Sequence, residues 1–190
     1  FKKPLTLVLS GDHIYRMDVR QMIQFHLDQE ADVTVASLPV PIQAAKGFGI
    51  VEVNADHQII GFEEKPASPK PMPENPGMAF SSMGNYIFNA DILVKILEQD
   101  ASQAGTHDFG RNIIPSLIKS HRVLAYDFMD NVVPGIHPYE EWGYWRDVGT
   151  LEAYWQANMD ILGESPILDL RNVKWPILTD ASVEPVASLV

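Results

Sequence analysis

Two apolar runs, residues 5–10 and residues 32–40, constrain the fold more than any other feature of the sequence. Neither run alternates with polar residues, which is typical of strands buried on both faces of a sheet. Between them, Asp18 and Gln21 have the spacing of a helix capping box. A stripe at helical spacing follows: Val19, Met22, Ile23, His26 and Leu27. Strand, helix and strand form a βαβ unit, which predicts an α/β fold with a mostly parallel sheet.

The rest of the chain adds further elements to this unit. We predict a hairpin of residues 48–53 and 59–65, strands at 83–88 and 123–128, and helices at 89–99 and 107–120, the last with a break near Pro115. Five prolines between residues 66 and 76 predict an exposed loop, because proline cannot donate a backbone hydrogen bond to a sheet. Thr150 is predicted to cap a helix that Gly163 ends. Its apolar side comprises Leu151, Tyr154, Trp155, Met159 and Leu162.

The net charge of the chain limits the kinds of molecule that it can bind. The chain has 14 Lys and Arg against 25 Asp and Glu, a formal net charge of −11 at pH 7. This excess of negative charge argues against nucleic acid or an anionic membrane surface as a partner. An anionic substrate would need a local cation or a well-placed lysine. No apolar run approaches transmembrane length. The absence of cysteine excludes disulfides and thiolate metal sites, and we expect a cytoplasmic protein.

Two aspartates follow or flank predicted elements where ligands commonly bind. Asp12 comes directly after the first strand, and ligands of open α/β sheets bind beyond the carboxyl ends of the strands. Asp147, in YWRDVGT, precedes the helix that begins after Thr150. Carboxylate oxygens suit a hard cation such as Mg²⁺, and two separate aspartates suit a shared divalent metal better than either suits one alone. Alternatively, Asp12 only caps a turn, and Asp147 pairs with Arg146 or helps to cap the helix.

The segment FEEKP, residues 62–66, combines an acid and a base at the end of the predicted hairpin. Lys65 is suited to bind a phosphate, and Glu64 can accept hydrogen bonds from sugar hydroxyls. Successive side chains of a strand point to opposite faces, so both can reach one ligand only if the strand ends or bulges there. Pro66 favours such a break. The alternative is a solvated charged edge with no ligand.

Other motifs in the sequence give little evidence of a function. HDFG, residues 107–110, contains the Asp-Phe-Gly of protein kinases, but no His-Arg-Asp loop and no Gly-rich loop accompany it, so we interpret it as a helix start. Neither a GxGxxG nor a Walker motif is present. The six histidines show no metal-site spacing.

Six segments resemble bacterial glucose-1-phosphate adenylyltransferase, also called ADP-glucose pyrophosphorylase, and they occur in that family's order over nearly the whole chain. They are SGDHIYRMD, VPI with GFGIVEV, GFEEKP, SSMGNYIF, HDFGRNIIP and YWRDVGTLEAYWQANMDIL. The resemblance implies the Rossmann-like mixed, mostly parallel sheet of sugar nucleotidyltransferases. It also implies a cytoplasmic enzyme of glycogen synthesis, with a homotetramer as the parent assembly.

The reaction implied is ATP + α-D-glucose 1-phosphate ⇌ ADP-glucose + diphosphate. Carried over residue by residue, Asp12 and Asp147 would hold Mg²⁺, and Asp12 and Lys65 would be catalytic. The glucose 1-phosphate contacts would be Gly49, Glu64, Lys65 and Ser82. Two strongly anionic groups must meet in this reaction, and like charges about 4 Å apart repel by roughly 4 kcal/mol at a surface-like dielectric. Mg²⁺ and Lys65 would offset that repulsion, so Asp12 acts as a metal ligand rather than a general base.

The sequence also departs from the family's pattern. The Gly-rich loop that binds the nucleotide phosphates is missing, so we expect a sheet that is incomplete at the N-terminus. Residues 1–165 are predicted to be the C-terminal part of the catalytic domain, and residues 166–190 a linker and the start of a left-handed β-helix. We expect little or no activity from this chain alone. Two alternatives stay open: a non-catalytic regulatory subunit of the family, and a related enzyme that uses UTP or dTTP.

Overall fold

The computed structural model describes residues 4–177, which fall into two compact units. Residues 4–10 and 19–128 form unit 1, and residues 11–18 and 129–177 form unit 2. The strands are β1 (Leu5–Val8), β2 (His13–Tyr15), β3 (Val33–Pro41), β4 (Gly49–Val53), β5 (Ile59–Glu64), β6 (Met78–Asn89), β7 (Val123–Asp127) and β8 (Trp145–Asp147). The helices are α1 (Val19–Asp28), α2 (Ala90–Ala101), α3 (Ile114–Leu117) and α4 (Leu151–Asp160).

Unit 1 is built on a mixed six-stranded sheet in the order β5-β4-β6-β3-β7, with β1 also paired to β6. The α/β class and the mixed sheet are confirmed. The strand directions correct one part of the prediction, because among the strands of residues 4–177 only β3 and β7 pair in parallel. The pairs β1–β6, β3–β6, β4–β6 and β4–β5 are antiparallel. β1 and β3 run in the same direction, as a βαβ unit requires, but β6 lies between them. Spacing along the chain cannot reveal such an insertion.

The central strand β6 contains a bulge. Val35 is paired with Tyr86 and Ser37 with Ser82, so three residues of β6 stand opposite a single residue of β3. Gly84 lies in this bulge with φ +70°, a left-handed conformation that glycine adopts without a Cβ clash. The Gly84 N–H donates to Ser82 Oγ (3.2 Å). The bulge shortens the path between Ser82 and Tyr86 along the strand.

Helices of unit 1 cover the sheet through side chains that alternate along the strands. The main core comprises Val33, Val35, Val51, Ile59, Phe80, Tyr86, Phe88, Ile92, Leu93, Ile96, Ile113, Ile114, Leu117, Val123 and Ala125. These residues come from β3 to β7, α2, α3 and the π-helical turn Phe109–Ile113. α1 buries Met22 and His26, and His26 Nδ1 lies 2.8 Å from Thr34 Oγ1. Thr34 alternates with Val33 and Val35, so α1 packs on the other face of the sheet.

Unit 2 contains the two-stranded sheet of β2 and β8 together with α4. Thr150 caps α4 as predicted, since its Oγ1 accepts a hydrogen bond from the Ala153 N–H (3.1 Å). The apolar side of the helix is exposed, with Leu151 90% and Trp155 60% accessible. α4 instead buries Ala157 and Asp160.

The predicted boundary at residue 165 stays a prediction, and residues 178–190, which belong to the predicted β-helix segment, lie outside the described residues. Within residues 4–177, no helix is long and apolar enough to cross a membrane.

Candidate functional site

Asp12 and Asp147 lie next to each other in unit 2. β2 pairs antiparallel with β8, which places His13 opposite Asp147. The pairing continues one step further, where the Val148 N–H donates to the Asp12 carbonyl (3.0 Å). Ligand atoms of Asp12, His13 and Asp147 all lie within 4.8 Å of one another. Asp12 is exposed and the other two are half-buried, so the group is accessible from solvent.

Gly149 and His13 complete the surroundings of the two carboxylates. The Gly149 N–H donates to Asp147 Oδ1 (2.9 Å). A Cβ at position 149 would stand 3.0 Å from Asp147 Oδ1 and 3.9 Å from Asp12 Oδ2, so glycine keeps the space around both oxygens open. His13 Nε2 lies 3.6 Å from Asp12 Oδ1, and its ring meets Trp145 edge to face (centroids 5.1 Å apart).

This donor set fits a divalent cation. Two carboxylates about 5 Å apart repel by roughly 3 kcal/mol at an effective dielectric of about 20, and a cation between them would remove that repulsion. Carboxylate oxygens suit Mg²⁺, and a neighbouring imidazole makes Mn²⁺ acceptable as well. His13 was not among the predicted ligands, although it directly follows Asp12 in the sequence.

Glu64 and Lys65 lie at the end of β5 in unit 1. β5 ends at Glu64, and Lys65 has φ +49°, a left-handed conformation that is unfavourable for a non-glycine residue. The Lys65 N–H donates to the Phe48 carbonyl (3.0 Å), which anchors this backbone. The alternation of the strand is therefore broken at Lys65, as the reasoning from Pro66 required. Strained conformations of this kind persist where the surrounding structure imposes them, often at functional sites.

Two glycines pack against the Glu64 carboxylate. Gly49 is paired with Glu64 across β4 and β5, and a Cβ at Gly49 would stand 2.7 Å from Glu64 Oε2. A Cβ at Gly110 would stand 2.7 Å from the same oxygen. Burial raises the pKa of Glu64, and the Asp108 carboxylate raises it further, against the opposing effects of Lys65 and Arg111. The elements that carry Gly49, Glu64 and Gly110 thus meet at one carboxylate.

Ser82, Tyr86 and Phe109 belong to the same part of unit 1. The rings of Tyr86 and Phe109 are stacked, with centroids 5.6 Å apart and an interplanar angle of 17°. The pKa of Tyr86 is raised to about 12, first by burial and further by the charges of Glu64 and Asp108, against the opposing effect of a hydrogen bond with Ser82. The bulge at Gly84 therefore brings the Ser82 and Tyr86 hydroxyls together.

Several of these neighbours were not among the predicted site residues, namely Tyr86, Asp108, Phe109 and Gly110. HDFG does begin a helical turn, because Asp108 Oδ1 accepts a hydrogen bond from the Arg111 N–H (2.8 Å). The same turn also places Asp108 near Glu64. The signal available in the sequence for these site residues was the succession of an acid, an aromatic residue and a glycine at positions 108–110.

The predicted site residues form two groups. Gly49, Glu64, Lys65 and Ser82 belong to unit 1, and Asp12 and Asp147 belong to unit 2. Arg146, the alternative partner of Asp147, donates to Glu141 and Asp160.

Sequence comparison agrees with the fold. The family model described as nucleotidyl transferase matches residues 1–164, and the chain belongs to this family. It is similar to the glucose-1-phosphate adenylyltransferases of several bacteria. It is 55% identical to that of Thermodesulfovibrio yellowstonii over 174 residues, which are 91% of this chain and 42% of the relative. It is 50% identical to that of Paramagnetospirillum magneticum over 185 residues, 97% of this chain and 43% of the relative.

A third relative, the glucose-1-phosphate adenylyltransferase of Anaeromyxobacter sp., is 52% identical over 176 residues, 92% of this chain and 43% of that protein. The chain thus spans less than half the length of these curated relatives.

Proposed function

We propose that this chain is the sugar-phosphate-binding and metal-binding part of a glucose-1-phosphate adenylyltransferase of glycogen synthesis, which converts ATP and α-D-glucose 1-phosphate into ADP-glucose and diphosphate. The observation that carries the proposal is the pair of carboxylates of Asp12, directly before β2, and Asp147, at the end of β8. The names of the relatives support the choice of ATP and glucose 1-phosphate. A cytoplasmic location and a homotetramer remain expectations of the resemblance.

In this proposal, the first group of residues binds glucose 1-phosphate. Lys65 holds the phosphate, because an ammonium opposite a dianion forms charge-assisted hydrogen bonds. The ionised Glu64 accepts hydrogen bonds from sugar hydroxyls. Gly49 lets the ligand approach the backbone closely, and the Ser82 hydroxyl offers a further hydrogen bond. Phe109, which is half-buried and stacked on the buried Tyr86 ring, provides an apolar surface for one face of the sugar.

The second group serves the phosphoryl chemistry. A phosphate oxygen of glucose 1-phosphate forms a bond to the α-phosphorus of ATP, and the bond from that phosphorus to the β-phosphate oxygen breaks, which releases diphosphate. Asp12 and Asp147 would hold Mg²⁺, which when bound neutralises charge on the phosphates. Catalysis then consists mainly of positioning and charge stabilisation. Asp12 serves as a metal ligand, and no general base is needed because the attacking phosphate oxygen is already ionised.

Titration calorimetry with glucose 1-phosphate tests the sugar-phosphate site directly in this chain. Lys65→Ala should weaken binding about 10–100-fold, since a hydrogen bond to a charged group contributes about 1.5–3 kcal/mol. Lys70→Ala is the matched control, because Lys70 is exposed in the loop that follows and pairs with Glu52 (2.6 Å). Its affinity should match that of the unmodified chain. An equal loss of affinity for glucose 1-phosphate in both variants would contradict the proposed site. The same holds if the unmodified chain binds glucose 6-phosphate as tightly as glucose 1-phosphate.

A further inference from the structure

Arg146 connects the strand that carries Asp147 to the far end of α4. Arg146 and Asp147 are successive residues of β8, so their side chains point to opposite faces of the strand. On its own face, Arg146 Nε donates to Asp160 Oδ2 (3.1 Å). Its Nη1 and Nη2 donate to the two carboxylate oxygens of Glu141 (2.9 and 2.6 Å). The guanidinium also lies 4.4 Å from the centre of the Tyr144 ring. Arg146 is thus held in one orientation.

Asp160 is the buried end of this connection. It is 2% exposed and is the last residue of α4. Besides Arg146, it accepts hydrogen bonds from Tyr144 Oη (3.1 Å) and Gln156 Nε2 (2.9 Å). Burial and the nearby Asp160 charge raise the pKa of Tyr144, so its hydroxyl stays protonated and can donate. Three donors therefore converge on a carboxylate that the proposed chemistry does not use.

The chain forms a closed path through these residues. β8 ends at Asp147, residues 148–150 lead into α4, and Asp160 at the end of α4 returns to Arg146 beside Asp147. Asp147 is thereby restrained from both sides, by the Gly149 N–H on its own carboxylate and by Arg146 through the backbone. An ion pair with a buried partner is seldom more stabilising than an apolar pair of the same size, so the role of the Asp160–Arg146 pair is geometric.

We propose that Asp160 is a positioning residue for the metal site: through Arg146 it fixes β8 so that the Asp147 carboxylate faces Asp12. This inference rests on the proposed metal-binding role of Asp12 and Asp147. The Asp12 and Asp147 carboxylates repel each other, so they stay close only if their backbones are held in place. The Asp160–Arg146 pair supplies that restraint on β8. Groups that orient metal ligands without touching the metal typically contribute 10–100-fold to metal affinity.

Mn²⁺ binding to the full chain, measured by electron paramagnetic resonance of the free ion, tests this role. Asp160→Asn should raise the Mn²⁺ dissociation constant at least about 10-fold. Arg146→Lys keeps the positive charge but loses the paired contacts, and it should show a similar loss. Glu164→Gln is the matched control: it removes one negative charge at an exposed position just after α4, and its dissociation constant should change less than about twofold if position and not charge is decisive.

Each variant is also melted without metal, because a merely structural role would lower the melting temperature and leave the affinity of the folded protein unchanged. If Asp160→Asn does not fold, Arg146→Lys decides by the same measurement. Normal Mn²⁺ affinity in folded Asp160→Asn, or an equal loss of affinity in Glu164→Gln, overturns the positioning role while the metal site stands. Normal affinity in Asp147→Asn overturns the metal site itself, and the positioning role with it.

Discussion

Gly49→Ala should damage unit 1 at the Glu64 carboxylate. The added Cβ would stand 2.7 Å from Glu64 Oε2 and 2.8 Å from Phe62 Cζ. Ordinary contacts of carbon atoms are about 3.5–4.0 Å, so both groups would have to move by about 0.8 Å. Overpacking of this kind costs about 1–3 kcal/mol. For a chain of this size, each kcal/mol lowers the melting temperature by about 2–4 °C, and we expect a loss of about 2–12 °C.

Gly47→Ala is the control for this prediction, because a Cβ at Gly47 has no atom within 4 Å and the residue lies just before the same strand. Circular dichroism melts of both variants give the stability. Calorimetry with glucose 1-phosphate gives the second readout, in which Gly49→Ala should bind at least about 10-fold more weakly because the hydrogen bonds of Glu64 are displaced. Equal melting temperatures for the two variants would refute the packing argument, and weaker stability with unchanged affinity would refute the role of Glu64 in binding.

Two further outcomes follow from the site. Gly149→Ala places a Cβ 3.0 Å from Asp147 Oδ1, so Mn²⁺ affinity should fall at least about 10-fold; an affinity like that of the unmodified chain would contradict the crowding argument. The raised pKa of Glu64 means that the folded state binds this proton more tightly than the unfolded state, whose pKa is near 4.5. The resulting stability is fully present below that value and is lost as the pH rises through the folded pKa. Glu64→Gln should therefore flatten the decline of the unfolding free energy with rising pH, which urea unfolding at a series of pH values measures. An unchanged pH profile would contradict this expectation.

Local signals predicted the local geometry well. Pro66 favoured a break in the alternation of the strand, which the structure has at Lys65, and Thr150 was recognisable as a cap from its position before an apolar stripe. These features depend on residues close in the sequence, whose conformational preferences are largely independent of the rest of the chain.

Non-local arrangements were harder to predict. The position of β6 between β1 and β3 depends on pairing with strands far away in the sequence, which no spacing rule specifies. For the same reason Asp108 and Tyr86 were not predicted, because they interact with Glu64 only after the sheet and the turn before α3 are assembled. The exposed apolar side of α4 shows the converse limit, since an amphipathic pattern predicts a helix without indicating which face is buried.

The pairing of β2 with β8 has a consequence for how the protein forms. Asp12 and Asp147 are 135 residues apart in the sequence. Unit 2 is also joined by a buried ion pair between Arg16 and Glu140, 124 residues apart (3.0 Å). Contacts this distant in sequence carry a large loop-closure entropy and form late. Binding of a divalent ion by Asp12 and Asp147 would therefore report that unit 2 has closed, and in a refolding experiment the metal signal should be among the last to appear.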